Sequence, residues 1–259
     1  MKPIIVKLGG STLGNHDTTI EDLVTLQKVG IPIVVVHGGA KTVTDWLGRL
    51  GISTQFVRGL RITDLETLKV VTAVLTGLVN KELVSAIWHL GGKAAGFSGV
   101  DGNLIQAKNK TPELGYTGED LKVDATLLQI LLKEGYIPVL APISLGLFDD
   151  SNGETNLINV NGDTAAAEIA AALNAEKLIF LTDVPGLYNS SNKLIPRLSP
   201  DDAKELINSG VASGGMAAKI EACLNALTKV SITRIIDGRN PHVLCDEING
   251  KVEGTTIAW

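Results

Sequence analysis

Residues Ile31-Pro32-Ile33-Val34-Val35-Val36-His37-Gly38-Gly39-Ala40 read as a strand, Ile31 to Val36, that runs out into a polar glycine turn, with a helix following from Lys41 to Leu50. A short, nearly continuous apolar run rich in β-branched residues marks a strand buried on both faces. The same unit stands upstream. Ile4 to Leu8 is strand, Gly9-Gly10-Ser11 is turn, and the capping box Thr18 to Glu21 starts a helix reaching about Lys28. Strand, helix, strand, helix at this spacing argues for parallel βαβ units and a sheet covered on both faces.

Downstream, Thr63-Asp64-Leu65-Glu66 is a second capping box. Apolar residues then recur in steps of three and four from Leu65 to Ile87, which predicts one long amphipathic helix ending near Gly91-Gly92. Gly77 in its middle permits close approach of another helix, such as one from a second subunit. Asp101-Gly102 reads as a hairpin turn, Gly115-Tyr116-Thr117-Gly118 as another, and together they suggest antiparallel hairpins over the mouth of a site. Asp124 to Glu134 returns to helix, Tyr136 to Ala141 to strand, and Phe148 to Glu154 to a polar loop. After residue 163 the βα rhythm resumes. Leu178 to Leu181 is strand, Ser199-Pro200 opens a helix to about Ser209, Ala217 to Leu227 is helix and Ser231 to Asp237 strand. Pro241 to Ile248 is a short helix and Thr255 to Ala258 an edge strand. Two lobes on one continuous sheet are expected, residues 1–162 and 163–259.

With 259 residues, 44% of them hydrophobic, the chain can bury a real core, and a net charge of −5 argues against a nucleic-acid binder. Any anionic ligand must therefore be held by local cations. Cys223 and Cys245 lack zinc-type spacing, and Cys223 reads as a small core residue. The first apolar run is too short for a signal peptide or a membrane span, so a soluble cytoplasmic protein without a membrane partner is expected.

Ligands of open parallel sheets sit at the carboxyl ends of strands, where glycine lets backbone N–H groups approach phosphate oxygens. Gly9-Gly10-Ser11, Gly38-Gly39 and Ser213-Gly214-Gly215 are such turns, but neither GxxxxGK[ST] nor GxGxxG is present. Lys7 ends an apolar strand, where it either snorkels to the surface or meets a ligand. Lys219 lies near the start of a helix, where the dipole does not favour a cation. In Asn159-Val160-Asn161-Gly162-Asp163, Asp163 precedes an alanine-rich helix, and taken alone it reads as that helix's N-cap with the asparagines as turn formers. Two lysines at glycine turns and a carboxylate at a third make a phosphoryl-transfer constellation, with Asp163 holding the lysines in place.

In their order, Lys7-Leu8-Gly9-Gly10, His37-Gly38-Gly39-Ala40, Gly59-Leu60-Arg61, Asn159 to Asp163, Asp183-Val184-Pro185-Gly186 and Gly214-Gly215-Met216 with Lys219 resemble the motifs of the amino-acid kinase family across the whole chain. The nearest branch is the one acting on N-acetyl-L-glutamate. The resemblance implies an α/β, three-layer αβα sandwich around a mainly parallel sheet, with an acceptor-binding amino-terminal lobe and an ATP-binding carboxyl-terminal lobe. It implies transfer of the γ-phosphoryl of MgATP to the side-chain carboxylate of N-acetylglutamate, the second step of arginine synthesis, with Mg2+ held mainly by the nucleotide phosphates and no dedicated metal site. It makes Lys7 and Lys219 the lysines of the transition state and Asp163 their organiser. Gly39, Ala40, Arg61 and Asn159 become acceptor contacts. Gly9, Gly10, Asp183, Val184, Pro185, Gly186, Leu187, Tyr188, Val211, Ala212 and Ser213 become the nucleotide pocket. His37 reads as an interior imidazole supporting the glycine loop. No general base is needed, because the acceptor carboxylate is already ionised.

Two departures stand out. The family usually has glycine where Ala40 stands, so the backbone there must avoid positive φ. The Tyr116-Thr117 pair is similar to that of relatives that phosphorylate carrier-linked or acetylated 2-aminoadipate in lysine synthesis, an alternative activity. A non-catalytic nucleotide or amino-acid sensor is an alternative of another class, disfavoured by the retention of Lys7, Asp163 and Lys219. The long helix, by the same resemblance, predicts a homodimer. Arginine-inhibited relatives carry an extra helix before the first strand, and a strand starting near Pro3 predicts a dimer insensitive to arginine. A nitrogen-signalling protein partner is not indicated.

Overall fold

Strands are numbered along the chain. β1 (Ile4–Leu8) lies between β2 (Ile33–His37) and β11 (Lys177–Thr182), parallel to both. A strand paired on both edges and covered on both faces has no wet side, and Ile4, Ile5, Val6 and Leu8 are all buried. In this computed structural model, which describes residues 1–9, 18–57, 59–109, 111–148 and 155–259, the sheet has eight strands. Their order is β12 (Arg197–Leu198), β14 (Thr255–Ala258), β13 (Ile232–Asp237), β11, β1, β2, β8 (Ile137–Ala141) and β5 (Ala94–Ser98). Every neighbouring pair is parallel except β13 with β14. The two halves of the sequence meet at β1 and β11.

Helices cover both faces, as the βαβ reading requires. Ile4, Val6 and Leu8 pack with α1 (Thr19–Lys28), α2 (Ala40–Arg49), α3 (Leu65–Thr72), α4 (Asn80–His89) and α9 (Val243–Ile248). Ile5, Val34 and Phe180 pack with α5 (Thr126–Lys133), α6 (Gly162–Ala172), α7 (Pro200–Asn208) and α8 (Gly214–Ala226). Cys223 is in this second core, where burial pushes its thiol up to about 12. The α7 start has the predicted cap. Ser199 and Asp202 exchange side-chain and backbone hydrogen bonds, with Pro200 at the first position. A smaller sheet of β10 (Leu157–Val160), β7 (Thr117–Val123), β6 (Ile105–Asn109) and β9 (Ile143–Leu147) closes on itself, and β3 (Phe56–Val57) with β4 (Leu60–Arg61) forms a short hairpin.

Several expectations change. The helix from Leu65 to His89 is continuous, but Ala73–Val79 between α3 and α4 is π-helical. It is long and apolar enough to pass for a membrane span, yet Leu68, Val71, Val74, Leu75, Val79, Leu83 and Ile87 are buried against the rest of the fold. The two earlier capping boxes do not form. The Thr18 hydroxyl accepts from the His242 N–H at 2.5 Å instead of capping α1. At α3 the cap is Asp64, which accepts from Thr67, because the Thr63 hydroxyl donates to Arg61 O. Asp101-Gly102 is not a hairpin tip. Asp101 accepts from Ser98 N and Oγ in a 3₁₀ turn, and the chain passes there from β5 in the large sheet to β6 in the small one. The antiparallel pair in this region is β6 with β7. β14 is not an edge strand, since β12 pairs outside it. Of the loop from Phe148 to Glu154, all but Phe148 lies outside the described residues, as do Gly10 and Ser11 of the first glycine turn.

Candidate active site

Side chains alternate along a strand, so Lys7 shares a face with Ile5, the face covered by α6 and α8. There Lys7 Nζ lies 2.7 Å from Asp163 Oδ1, a close ion pair outside hydrogen-bond geometry. Lys219 Nζ donates to Asp163 Oδ2 at 2.8 Å. Lys219 stands near the start of α8, where the helix dipole opposes it, and its partners are this carboxylate and the face of Phe180, 4.9 Å away. Phe180 is the β11 partner of Lys7 in the strand register.

Asp163 is free for this work because it is not the N-cap. Asn161 caps α6, its Oδ1 accepting from the N–H groups of Asp163 at 2.8 Å and Thr164 at 3.2 Å. Burial alone would raise the Asp163 carboxyl, but Lys7 and Lys219 overcome it and hold the group at about 2. For Lys7 burial dominates and lowers the amine below the ordinary lysine range. Asp163 opposes that shift and Lys219 adds to it, while Asp183 opposes it more weakly. At close range two lysines meet a single carboxylate, an arrangement with room for a further negative group. An anion completes that arrangement.

The anion has a place to lie. Lys7 and Asp163 line a cavity of about 180 Å³ together with Gly39, Ala40, Arg61 and Asn159. The Arg61 guanidinium stacks 4.7 Å above Phe56 and donates through Nη2 to Ala40 O and Thr44 Oγ1 and through Nη1 to Thr54 Oγ1. Asn159 Nδ2 donates to Thr63 Oγ1 at 3.2 Å, and the Thr117 hydroxyl lies in the same buried cluster. Gly39 has φ +150°, and a Cβ on it would stand 2.7 Å from Leu75 Cδ2, so only glycine fits. Ala40 opens α2 without a positive φ, which accommodates its methyl. His37 is interior, as expected. Its Nδ1 lies 2.8 Å from Gly38 O and its Nε2 3.1 Å from Asn80 Nδ2, and burial lowers its pKa to about 4.

The residues expected around a nucleotide fall in three places. Gly9 follows β1, its N–H donating to Leu181 O. Asp183 to Tyr188 follow β11. In that loop Thr182 Oγ1 accepts from Val184 N, Leu187 N donates to Thr255 Oγ1, the Leu187 side chain is in the core and Tyr188 is exposed. Val211, Ala212 and Ser213 lead into α8, with Val211 exposed and Ala212 buried. The two sides of the site touch. A Cβ on Gly59, φ +79°, would stand 3.2 Å from Gly215 N, so the hairpin carrying Arg61 rests on the turn that precedes Lys219. Sequence reasoning missed Thr63, Phe180 and Asn80. Asn80, a polar residue in step with the apolar face of its helix, was the one legible signal.

The Amino acid kinase family model matches residues 2–237. The chain belongs to the amino acid kinase family. It is 46% identical over 254 residues to an acetylglutamate kinase of Dehalococcoides mccartyi, covering 98% of this chain and 93% of that one. It is 44% identical to an acetylglutamate kinase of Synechococcus elongatus, covering 95% and 83%. Among solved structures it is similar to N-acetylglutamate synthase from Neisseria gonorrhoeae complexed with coenzyme A and N-acetyl-glutamate, with TM-score 0.84, 24% identity and coverage of 100% of this chain and 59% of that one. It is also similar to Giardia lamblia carbamate kinase bound to AMP-PNP, with TM-score 0.70, 15% identity and coverage of 99% and 98%. At these identities the structural likeness speaks to the amino acid kinase fold.

Proposed function

We propose that this chain is an ATP-dependent kinase that phosphorylates the side-chain carboxylate of N-acetyl-L-glutamate, the second step of arginine biosynthesis. The observation that carries the reading is the Lys7–Asp163–Lys219 triad set against a small cavity lined by Arg61, Asn159 and Gly39. Relatives of 44–46% identity bear the name acetylglutamate kinase.

In the proposed reaction an oxygen of the ionised acceptor carboxylate attacks the γ-phosphorus of ATP. An O–P bond forms to the acyl oxygen, the bond from the γ-phosphorus to the β–γ bridging oxygen breaks, and ADP leaves with that electron pair. Lys7 and Lys219 neutralise charge on the migrating phosphoryl oxygens, and Asp163 keeps them in place before the reaction begins. Arg61 clamps the acceptor's α-carboxylate with its planar fork, and Asn159 contacts the acceptor's polar groups. Gly9, Gly10, residues 183–188 and residues 211–213 hold the nucleotide. When bound with the nucleotide, magnesium would neutralise charge on the phosphates. Asp163 is engaged by two lysines, so we assign the ion mainly to phosphate oxygens.

We further propose the division into an acceptor lobe, 1–162, and an ATP lobe, 163–259, and a cytoplasmic homodimer joined along the helix Leu65–His89. The dimer is supported by the exposed Gly77 and by the exposed apolar side chains of Trp46, Leu50 and Trp88 on or beside that helix. A panel of acceptors with MgATP tests the activity: acetylglutamate, acetylaminoadipate, glutamate, aspartate and uridine monophosphate. Fast ADP release with acetylglutamate alone is expected. Preference for another acceptor, or no turnover with any, would refute it.

A further inference from the structure

Asn80 is fully buried on the apolar face of its amphipathic helix, at the point where the π-helical segment gives way to α4. A buried amide must satisfy two N–H donors and a carbonyl oxygen. Lys81 Nζ donates to Asn80 Oδ1 at 3.0 Å and to Gly96 O at 3.2 Å, so the oxygen faces the lysine. Gly96 makes this possible, since a Cβ there would collide with Asn80 Oδ1. The Nδ2 hydrogens then face Val139 O at 2.9 Å, Phe97 O at 3.3 Å and His37 Nε2 at 3.1 Å. An amide nitrogen cannot accept and a carbonyl oxygen cannot donate, so Nε2, facing Asn80 Nδ2, is left as the acceptor of the ring and Nδ1, facing Gly38 O, carries the proton. Nδ1–H in turn donates to Gly38 O at 2.8 Å. The charged groups around the imidazole are Lys7 and Lys81, and both favour its neutral form.

This relay ends on the peptide that joins Gly38 to Gly39, both lining the cavity beside Lys7. A trans peptide carries its C=O and N–H in opposite directions, so anchoring the Gly38 carbonyl on the interior imidazole turns the Gly39 N–H the other way. The helix that supplies Asn80 also backs Gly39, through Leu75 and Val79 of the π segment.

We propose that Asn80 and Lys81 are positioning residues for phosphoryl transfer, which act through His37 to lock the Gly38–Gly39 peptide and present the Gly39 N–H to the reacting oxygens in the cavity. This rests on reading the cavity as the acceptor site. Neither side chain lines the cavity, and Lys81 carries the relay to the protein surface.

The test combines 15N NMR of the His37 ring with steady-state kinetics of the full chain. In the wild type, His37 is expected as the neutral Nδ1–H tautomer from pH 8 down to 5. Asn80→Asp sets a carboxylate against Nε2, so the ring should take up a second proton near neutral pH. In that variant kcat should fall and the acetylglutamate KM rise, each by about tenfold, with the ATP KM within about twofold. Lys81→Met, a change at the exposed end that leaves the core intact, should move the acetylglutamate KM about threefold in the same direction and increase exchange between His37 tautomers. An Nε2–H tautomer in the wild type overturns the relay, even if Asn80→Asp fails to fold. Folded variants with unchanged constants, or with both KM values raised equally, overturn the positioning role. Absence of turnover in the wild type defeats the proposed activity instead, and the tautomer still decides the relay.

Discussion

Lys7, in the first strand, stands 2.7 Å from Asp163, in the first turn of α6, and the other oxygen of that carboxylate holds Lys219. One acid thus fixes two cations at a separation they would not keep by themselves. Held this way, the lysines meet developing negative charge without reorganising, which is the condition under which such groups lower a barrier most.

Lys7→Ala or Lys219→Ala should reduce kcat by about 10²–10³ with little effect on ATP binding. Asp163→Ala should do more, because it leaves two buried ammonium groups uncompensated, and a loss of about 3–5 kcal/mol of stability is expected. Stopped assays and urea denaturation check both. A raised KM with normal kcat in the lysine variants would mean that they only bind substrate.

Arg61→Lys keeps the charge but cannot reach Ala40 O, Thr44 and Thr54 together as the guanidinium does. The acetylglutamate KM should rise about tenfold or more while the ATP KM changes only a few-fold. Equal effects on both substrates would identify Arg61 as a brace for the α2 start and nothing more.

Gly59→Ala introduces a Cβ 3.2 Å from Gly215 N at a residue with φ +79°. Strain of about 1–2 kcal/mol is expected, with the hairpin pushed off the α8 turn. Both Arg61 and Lys219 should be displaced, so kcat should fall although the substitution touches neither. Wild-type kcat in a folded variant would show that this contact does not align the two sides.

Stability should depend on pH through His37. Its folded pKa is lowered to about 4 from 6.5, so as pH falls the unfolded chain binds a proton before the folded one does. Stability from this group is therefore complete above 6.5 and is lost progressively down to about 4, with roughly 2 kcal/mol gone at pH 5. Urea denaturation at pH 7 and pH 5 should show a smaller drop for His37→Gln than for the wild type. An equal drop in both would place the dependence elsewhere.

Light scattering should give a mass of two chains for the wild type. Gly77 is exposed with open space around it, so Gly77→Arg fits the isolated protomer but not a close helix–helix seam. A folded monomer is expected for that variant. A monomeric wild type, or a dimeric variant, would move the seam away from this helix.

The glycine turns, the βα rhythm and the order of the motifs were legible along the chain because each depends on neighbours a few residues away. Strand β1, the start of α7 at Ser199-Pro200 and the interior placement of His37 and Cys223 follow from local pattern and burial alone. What local pattern could not decide is where competing polar groups find their partners. Thr18 and Thr63 sit in capping-box sequences, but His242 N–H claims the Thr18 hydroxyl and Arg61 O, Asn159 and Thr117 surround that of Thr63, while Asn161 supplies the α6 cap and leaves Asp163 to the lysines. The Asp-Gly turn at 101–102 joins two sheets, a choice made by strand pairing far along the chain. The contact of Gly59 with Gly215 and the approach of Asn80 to His37 exist only once the sheet has assembled. Each joins residues far apart in the sequence, whose proximity depends on packing and not on spacing.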